Sequence, residues 1–107
     1  MARVVNIAKD YSRTLGGRWI SLGAFSGEDF YKTLLEPEFL EAKNSGEELL
    51  IELDGTSGYP SSFLDQSFGE LGRKYGVNEV REIIKFKADT FAWVVNYINQ
   101  EIWDKTK

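Results

Sequence analysis

Two adjacent serines, Ser61 and Ser62, close a glycine-rich loop and open a run of helical periodicity. The loop is Asp54-Gly55-Thr56-Ser57-Gly58-Tyr59-Pro60. The residues before it, Leu49, Leu50, Ile51 and Leu53, are near-continuously apolar and read as a strand covered on both faces. In an α/β sheet, ligands and modifications collect at the carboxyl edge of a strand. A hydroxyl on a helix N-terminus at that edge suits phosphorylation. An added phosphate meets free backbone N–H groups and the positive end of the helix dipole. The same placement suits plain capping, with Ser61 or Ser62 accepting from the first turn and Asp65 completing a capping box.

The loop offers a second chemistry. Gly55 and Gly58 allow close backbone approach, as in a cradle for a phosphate or nucleotide. It lacks both the lysine of a P-loop and the GxGxxG spacing of a dinucleotide site. A tight turn at a strand end explains it equally, and the Tyr59–Pro60 bond is a candidate for the cis form. Arg13 and Arg18 flank Gly16-Gly17 and are placed either on a solvated loop or over the serine loop, where they would pair with a phosphate or a partner carboxylate. Asp54, Asp65 and Glu70 lie near the same edge, but acid–base work needs convergent carboxylates. Asp54 ends a strand and Glu70 lies more than two turns into a helix, so the three do not converge. Asp54 is expected to accept hydrogen bonds within its own turn.

Composition narrows the chemistry. The chain has no cysteine and no histidine, which removes thiolate nucleophiles, disulfides, thiolate metal sites and any histidine base. No EF-hand spacing suggests a metal, and no cofactor is implied. The formal charge of −4 argues against a nucleic-acid footprint. Arg73-Lys74 and Lys85 with Lys87 read as solvated pairs. No apolar run approaches a membrane span, so the expectation is a soluble, cytoplasmic protein. At 107 residues the chain suits one domain, 1–107, with one core.

The elements that would position these residues follow in the order β-β-α-β-α-β-α. Arg3 to Ile7 and Trp19 to Leu22 are short strand candidates that would pair as an edge hairpin. Ser26 caps a helix from about Gly27 to Asn44, kinked or split near Pro37. Glu48 to Asp54 is the central strand. Ser61 to Tyr75 is a helix with a Phe63/Leu64/Phe68/Leu71 stripe, ended by Gly76. Glu79 to Phe86 reads as a strand from its β-branched content. Asp89 caps a last helix to about Asp104, with Phe91, Val94, Val95, Ile98 and Ile102 facing the core. Trp93, Tyr97 and Trp103 lie off that stripe, where they either widen the packed face or form a face for homodimerisation or partner binding. The alternation predicts an α/β domain with a mixed, partly parallel sheet of about four strands and helices packed on it.

The segments FSGEDF (Phe25 to Phe30), LDGTSGYPSSFLDQSFGEL (Leu53 to Leu71) and SRTLGGR (Ser12 to Arg18) carry a resemblance. The chain resembles the STAS-like domain family of unknown function, bacterial and archaeal proteins related to the STAS domains of anti-sigma factor antagonists. Those antagonists carry a strand, an Asp-Ser-Ser-Gly loop and a helix. Their second serine is phosphorylated by a serine kinase with a histidine-kinase-like ATPase fold. Laid on this chain without gaps, the pattern puts its serine pair on Ser61 and Ser62 and its phosphorylated position on Ser62. Pro60 and Phe63 stand where the pattern has Asp and Gly.

The resemblance implies a STAS-like fold and a non-enzymatic regulatory module that binds protein partners. It also implies a histidine-kinase-like ATPase partner and a switch at Ser62. Asp54, Gly55, Gly58, Tyr59, Pro60, Ser61, Ser62, Phe63, Arg13 and Arg18 are the candidate contact residues. The other reading is a binding module for a small anionic ligand or nucleotide at the Gly55–Ser62 loop and helix N-terminus.

Overall fold

The computed structural model describes residues 3–106. Strands β1 (Arg3–Asn6), β2 (Leu49–Glu52) and β3 (Ile84–Lys87) form one three-stranded sheet in the order β1-β2-β3. Both pairings are parallel. Val5 lies level with Ile51, and Ile51 with Phe86, so one face of the sheet collects Val5, Leu49, Ile51 and Ile84, all buried. The opposite face carries Val4, Leu50, Glu52, Lys85 and Lys87 and is open to solvent; Val4 is 53% exposed. The central strand is therefore covered on one face, not on both as its composition suggests.

Helix α1 is the single turn Ile7–Asp10, capped by the Asn6 side chain. Helix α2 spans residues 27–45 and α3 residues 61–75. Helix α4 is Val77–Ile83, and α5 spans residues 92–103. Three of them widen into π-type turns, at Tyr31–Leu35, Asp65–Gly69 and Ile98–Trp103. In α2 the widened turn precedes Pro37, whose nitrogen has no hydrogen to donate, and the helix runs on past it.

Helix α3 is the centre of the core. Phe63, Leu64, Phe68 and Leu71 are fully buried on it. On one side α2 approaches so closely that only a glycine fits at 27. On the other, α5 lays Trp103 over Gly72 and donates the indole N–H to the Phe68 carbonyl at 3.0 Å. Trp103 is 2% exposed, so it is a core residue and not part of an outer face of α5.

One expected strand is not a strand, and another is shorter than expected. Trp19 to Leu22 makes a 3-10 turn at Ile20–Leu22, and no hairpin forms. The loop instead satisfies the start of α2: the Gly27 and Glu28 N–H groups donate to the carbonyls of Gly17 and Arg18. Only β3 remains of the run Glu79 to Phe86, because its first half is α4. Val77, Val80 and Ile84 recur at helical spacing, and Val80 is fully buried. Packing there overrides β-branched propensity. Among the described residues the sheet has three strands in place of about four, and both pairings are parallel.

Candidate functional site at the carboxyl edge of the sheet

The loop after β2 is held from both sides. Ser57 donates its N–H and its hydroxyl to the Arg13 carbonyl, at 2.8 and 3.2 Å. Gly55 has φ +106°, and a Cβ there would stand 3.0 Å from the Ala8 Cβ. Tyr59 is buried, and its hydroxyl donates to the Leu53 carbonyl at 2.6 Å. Its ring meets Phe91 edge-on at 5.0 Å, and burial pushes the phenol up to about 12. Tyr59 is thus a support for the loop and not a surface contact. The Tyr59–Pro60 bond is trans, which removes the cis expectation.

Asp54 does not serve its own turn. Its carboxylate accepts from the Asp89 N–H at 2.7 Å and the Phe91 N–H at 3.1 Å. These bonds, that from Asp89 foremost, hold the carboxyl below the usual range. Asp54 therefore organises the entry to α5 from across the fold. Asp89 does not cap that helix; Phe91 occupies the N-cap position without a side-chain bond.

Pro60, not a serine, is the N-cap residue of α3, and no side chain caps that end. Ser61 and Ser62 sit in the first turn, exposed and half-buried respectively. Neither hydroxyl has a hydrogen-bond partner among the described residues. The expected capping box is absent, because Asp65 faces elsewhere. Arg18 reaches it at 2.5 Å and Arg73 at 3.3 Å. Burial pulls the Asp65 carboxyl up, but the two guanidinium groups outweigh it and leave the group below its usual value. Phe63 is fully buried against Phe30, so it is a core residue and cannot meet a partner.

The two arginines part company. Arg18 folds onto α3 at Asp65 and Gln66, one turn beyond the serine pair, and not over the serine loop itself. Arg13 stays exposed and lines a cleft of about 290 Å³ with Asn6, Ala8, Lys9, Asp54 and Gly55. The candidate residues thus divide into a cleft side (Arg13, Asp54, Gly55) and a helix side (Pro60, Ser61, Ser62, Arg18). Gly58 lies between them, and a Cβ built on it would meet nothing within 4 Å. The carboxylates remain apart: Asp54 serves α5, Asp65 is bridged by arginines, and Glu70 pairs with Arg73 at 3.3 Å.

The family description "STAS-like domain of unknown function" matches residues 26–90, well over half of the chain. The chain belongs to this family. The matched part of the STAS-like domain takes in α2, β2, α3, α4, β3 and the serine loop. Lys9, Arg13 and Arg18 lie before it, and α5 lies beyond it. No curated protein and no solved structure matches the chain.

Sequence reading missed Lys9, which joins Arg13 at the cleft, and the Arg18–Asp65–Arg73 bridge. Each depends on residues distant in the chain, and no local spacing signals them. Of the outer aromatics of α5, Trp93 is 51% exposed and packs edge-on against half-buried Tyr97 at 6.4 Å. Among the described residues no helix is long and apolar enough to cross a membrane.

Proposed function

We propose that this STAS-like domain is a non-enzymatic regulatory module that binds protein partners through the Ser61–Ser62 edge and is switched at Ser62. The observation that carries the reading is the uncapped first turn of α3, with two hydroxyls that make no internal bond among the described residues. A phosphate at Ser62 breaks no existing hydrogen bond. It gains the free N–H groups of the first turn and the positive helix end. Arg18 lies one turn further along on Asp65, within the i,i+3 neighbourhood of Ser62. The added negative charge then repels an acidic or apolar partner docked on that edge.

The partner of this reading is a serine kinase with a histidine-kinase-like ATPase fold, drawn from the family relationship. In the transfer the Ser62 Oγ bonds the γ-phosphorus of ATP, the bond to the ADP oxygen breaks and the hydroxyl proton leaves. The test is the intact mass of the protein isolated from its host, with partner capture on wild type, Ser62→Ala and Ser62→Glu. A phosphoryl adduct lost in Ser62→Ala, with altered capture by Ser62→Glu, supports the switch. An unmodified Ser62 together with equal capture by all three overturns it.

A second reading rests on a separate observation. Lys9 and Arg13 have no ion-pair partner among the described residues and flank the cleft at Asp54 and Gly55. That suits a small anion or a nucleotide phosphate. A nucleotide that raises the melting temperature of the isolated chain, with the effect lost in Arg13→Ala, supports this reading over the first.

A further inference from the structure

The edge of the sheet at β3 has features that the serine site does not use. Among the described residues β3 pairs only with β2. The Leu53 N–H donates to the Lys87 carbonyl at 3.0 Å, so Lys87, and by alternation Lys85, turn their backbone groups toward β2. The Phe86 N–H and C=O therefore point away from the sheet and have no strand to bond among the described residues. Beside this free edge lies a groove of about 280 Å³ between β3 and α5, walled by Ile84, Phe86, Val95, Asn99 and Trp103. Phe86 and Val95 are half-buried, which leaves an apolar floor open to the outside. Arg81 closes one end. It donates to the Asn99 carbonyl at 3.0 Å and to Asp104 at 2.6 Å, and stacks 5.8 Å from the Trp103 ring.

We propose that this edge and groove dock an extended acidic–apolar segment of another protein as a fourth strand. An added strand would bond the free Phe86 backbone groups, and its side chains would alternate between the two faces of the sheet. On the helix face, alternate residues enter the groove above Phe86 and Val95, which fixes them as apolar. On the open face, the intervening residues lie beside Lys85 and Lys87, which fixes them as acidic. Lys87 has no ion-pair partner among the described residues; Lys85 donates to the Arg81 carbonyl at 3.1 Å and reaches its one carboxylate neighbour there, Glu48, only at 4.0 Å, so Lys87 is the freer charge.

The same lysines exclude a second copy of this chain. Two-fold pairing of β3 with itself sets Lys85 and Lys87 against Lys87 and Lys85, a like-charge match. Pairing β3 with another copy's β1 offers Arg3, Val4, Val5 and Asn6, which bring no acid to Lys85 and Lys87. The competing explanation is that the lysines only guard an edge against aggregation.

The probe is a fluorescein-labelled peptide, Asp-Val-Glu-Leu-Asp-Val-Glu, titrated into the full chain by anisotropy, with a lysine version of the same peptide beside it. The expected result is saturable binding of the acidic peptide alone, with the Phe86 amide newly protected from exchange. Lys87→Glu, an exposed site that leaves the fold intact, weakens the acidic peptide by about tenfold or more and admits the lysine peptide. Val95→Glu fills the groove and removes binding. Ser62→Glu binds the peptide like wild type, which separates this surface from the serine edge. No saturable binding, equal binding of both peptides, binding indifferent to Lys87→Glu, or protection that falls at Lys9 and Arg13 each overturns the proposal.

Discussion

Gly27→Ala tests whether the serine edge is held by helix-to-helix contact. Gly27 opens α2 and lies against the first turn of α3. A Cβ built there stands 2.6 Å from the Phe63 carbonyl oxygen and 3.1 Å from the Phe63 Cα, against an optimum of about 3.5 Å or more between non-bonded heavy atoms. The obstruction is backbone, which cannot swing aside as a side chain would. On an open helix the change from Gly to Ala stabilises by up to about 1 kcal/mol. Overpacking a tight contact costs about 1–3 kcal/mol. The difference is a net loss of about 1–2 kcal/mol, because the first helical position collects only part of the propensity gain. For a domain of this size that lowers Tm by roughly 5–10 °C. Urea unfolding followed by far-UV circular dichroism measures it, with an unchanged m value as the sign that the folded state alone has moved. Gly17→Ala is the control: nothing lies within 4 Å of its built Cβ, and the change should stay within about 0.5 kcal/mol. If Gly27→Ala is as stable as wild type or more so, propensity outweighs the contact and the α2–α3 approach does not set the position of the serine edge.

Two further outcomes follow from the core and its ion pairs. Trp103→Phe removes the donor to the buried Phe68 carbonyl and should cost about 1–3 kcal/mol in chemical denaturation, whereas Trp93→Phe on the surface should change it by less than about 0.5 kcal/mol; equal effects would mean that the buried indole bond contributes little. Glu36 and Asp65 both titrate below their ordinary values of 4.5 and 3.8 in the folded chain. Burial opposes this in each, and is outweighed by Lys74, Tyr31 and Tyr75 around Glu36 and by Arg18 and Arg73 around Asp65. The stability these carboxylates confer is complete above the ordinary values and drains away as pH falls through the lower folded ones. Thermal melts from pH 6 to pH 3 should therefore fall more steeply for wild type than for Glu36→Gln or Asp65→Asn, and parallel curves would refute the assignment.

Much of this chain was legible because the information is local. Ser26 accepts from the Asp29 N–H at 3.0 Å, as a serine before Gly-Glu-Asp should. The Phe63/Leu64/Phe68/Leu71 stripe is buried, and Gly76 ends α3 with φ +92°, because helical period and glycine geometry are properties of a few neighbouring residues. Lys85 and Lys87 are on a solvated face, as their alternation with Ile84 and Phe86 suggests. Other features were not legible. Trp19 to Leu22 has strand-like residues, yet its neighbours' carbonyls are taken by α2. Val77 to Ile84 has strand-like composition and helical spacing, and only the packing of Val80 decides between them.

The sequence by itself determined the α/β class, the serine pair at the start of a helix, the loop before it and the family resemblance. Each is written in residue order, by periodicity and turn chemistry. The tertiary structure decided what each polar group is for. Asp54 reaches across 35 positions to Asp89 and keeps α5 in place, so it is not a free acid at the edge. Arg18 spans 47 positions to Asp65, and Arg13 stays at the cleft. Ser61 and Ser62 remain without an internal bond among the described residues, while Tyr59 and Phe63 beside them are buried. A side chain's partner depends on which elements the core brings together, and that is set by burial summed over the whole chain, which no short stretch of residues contains.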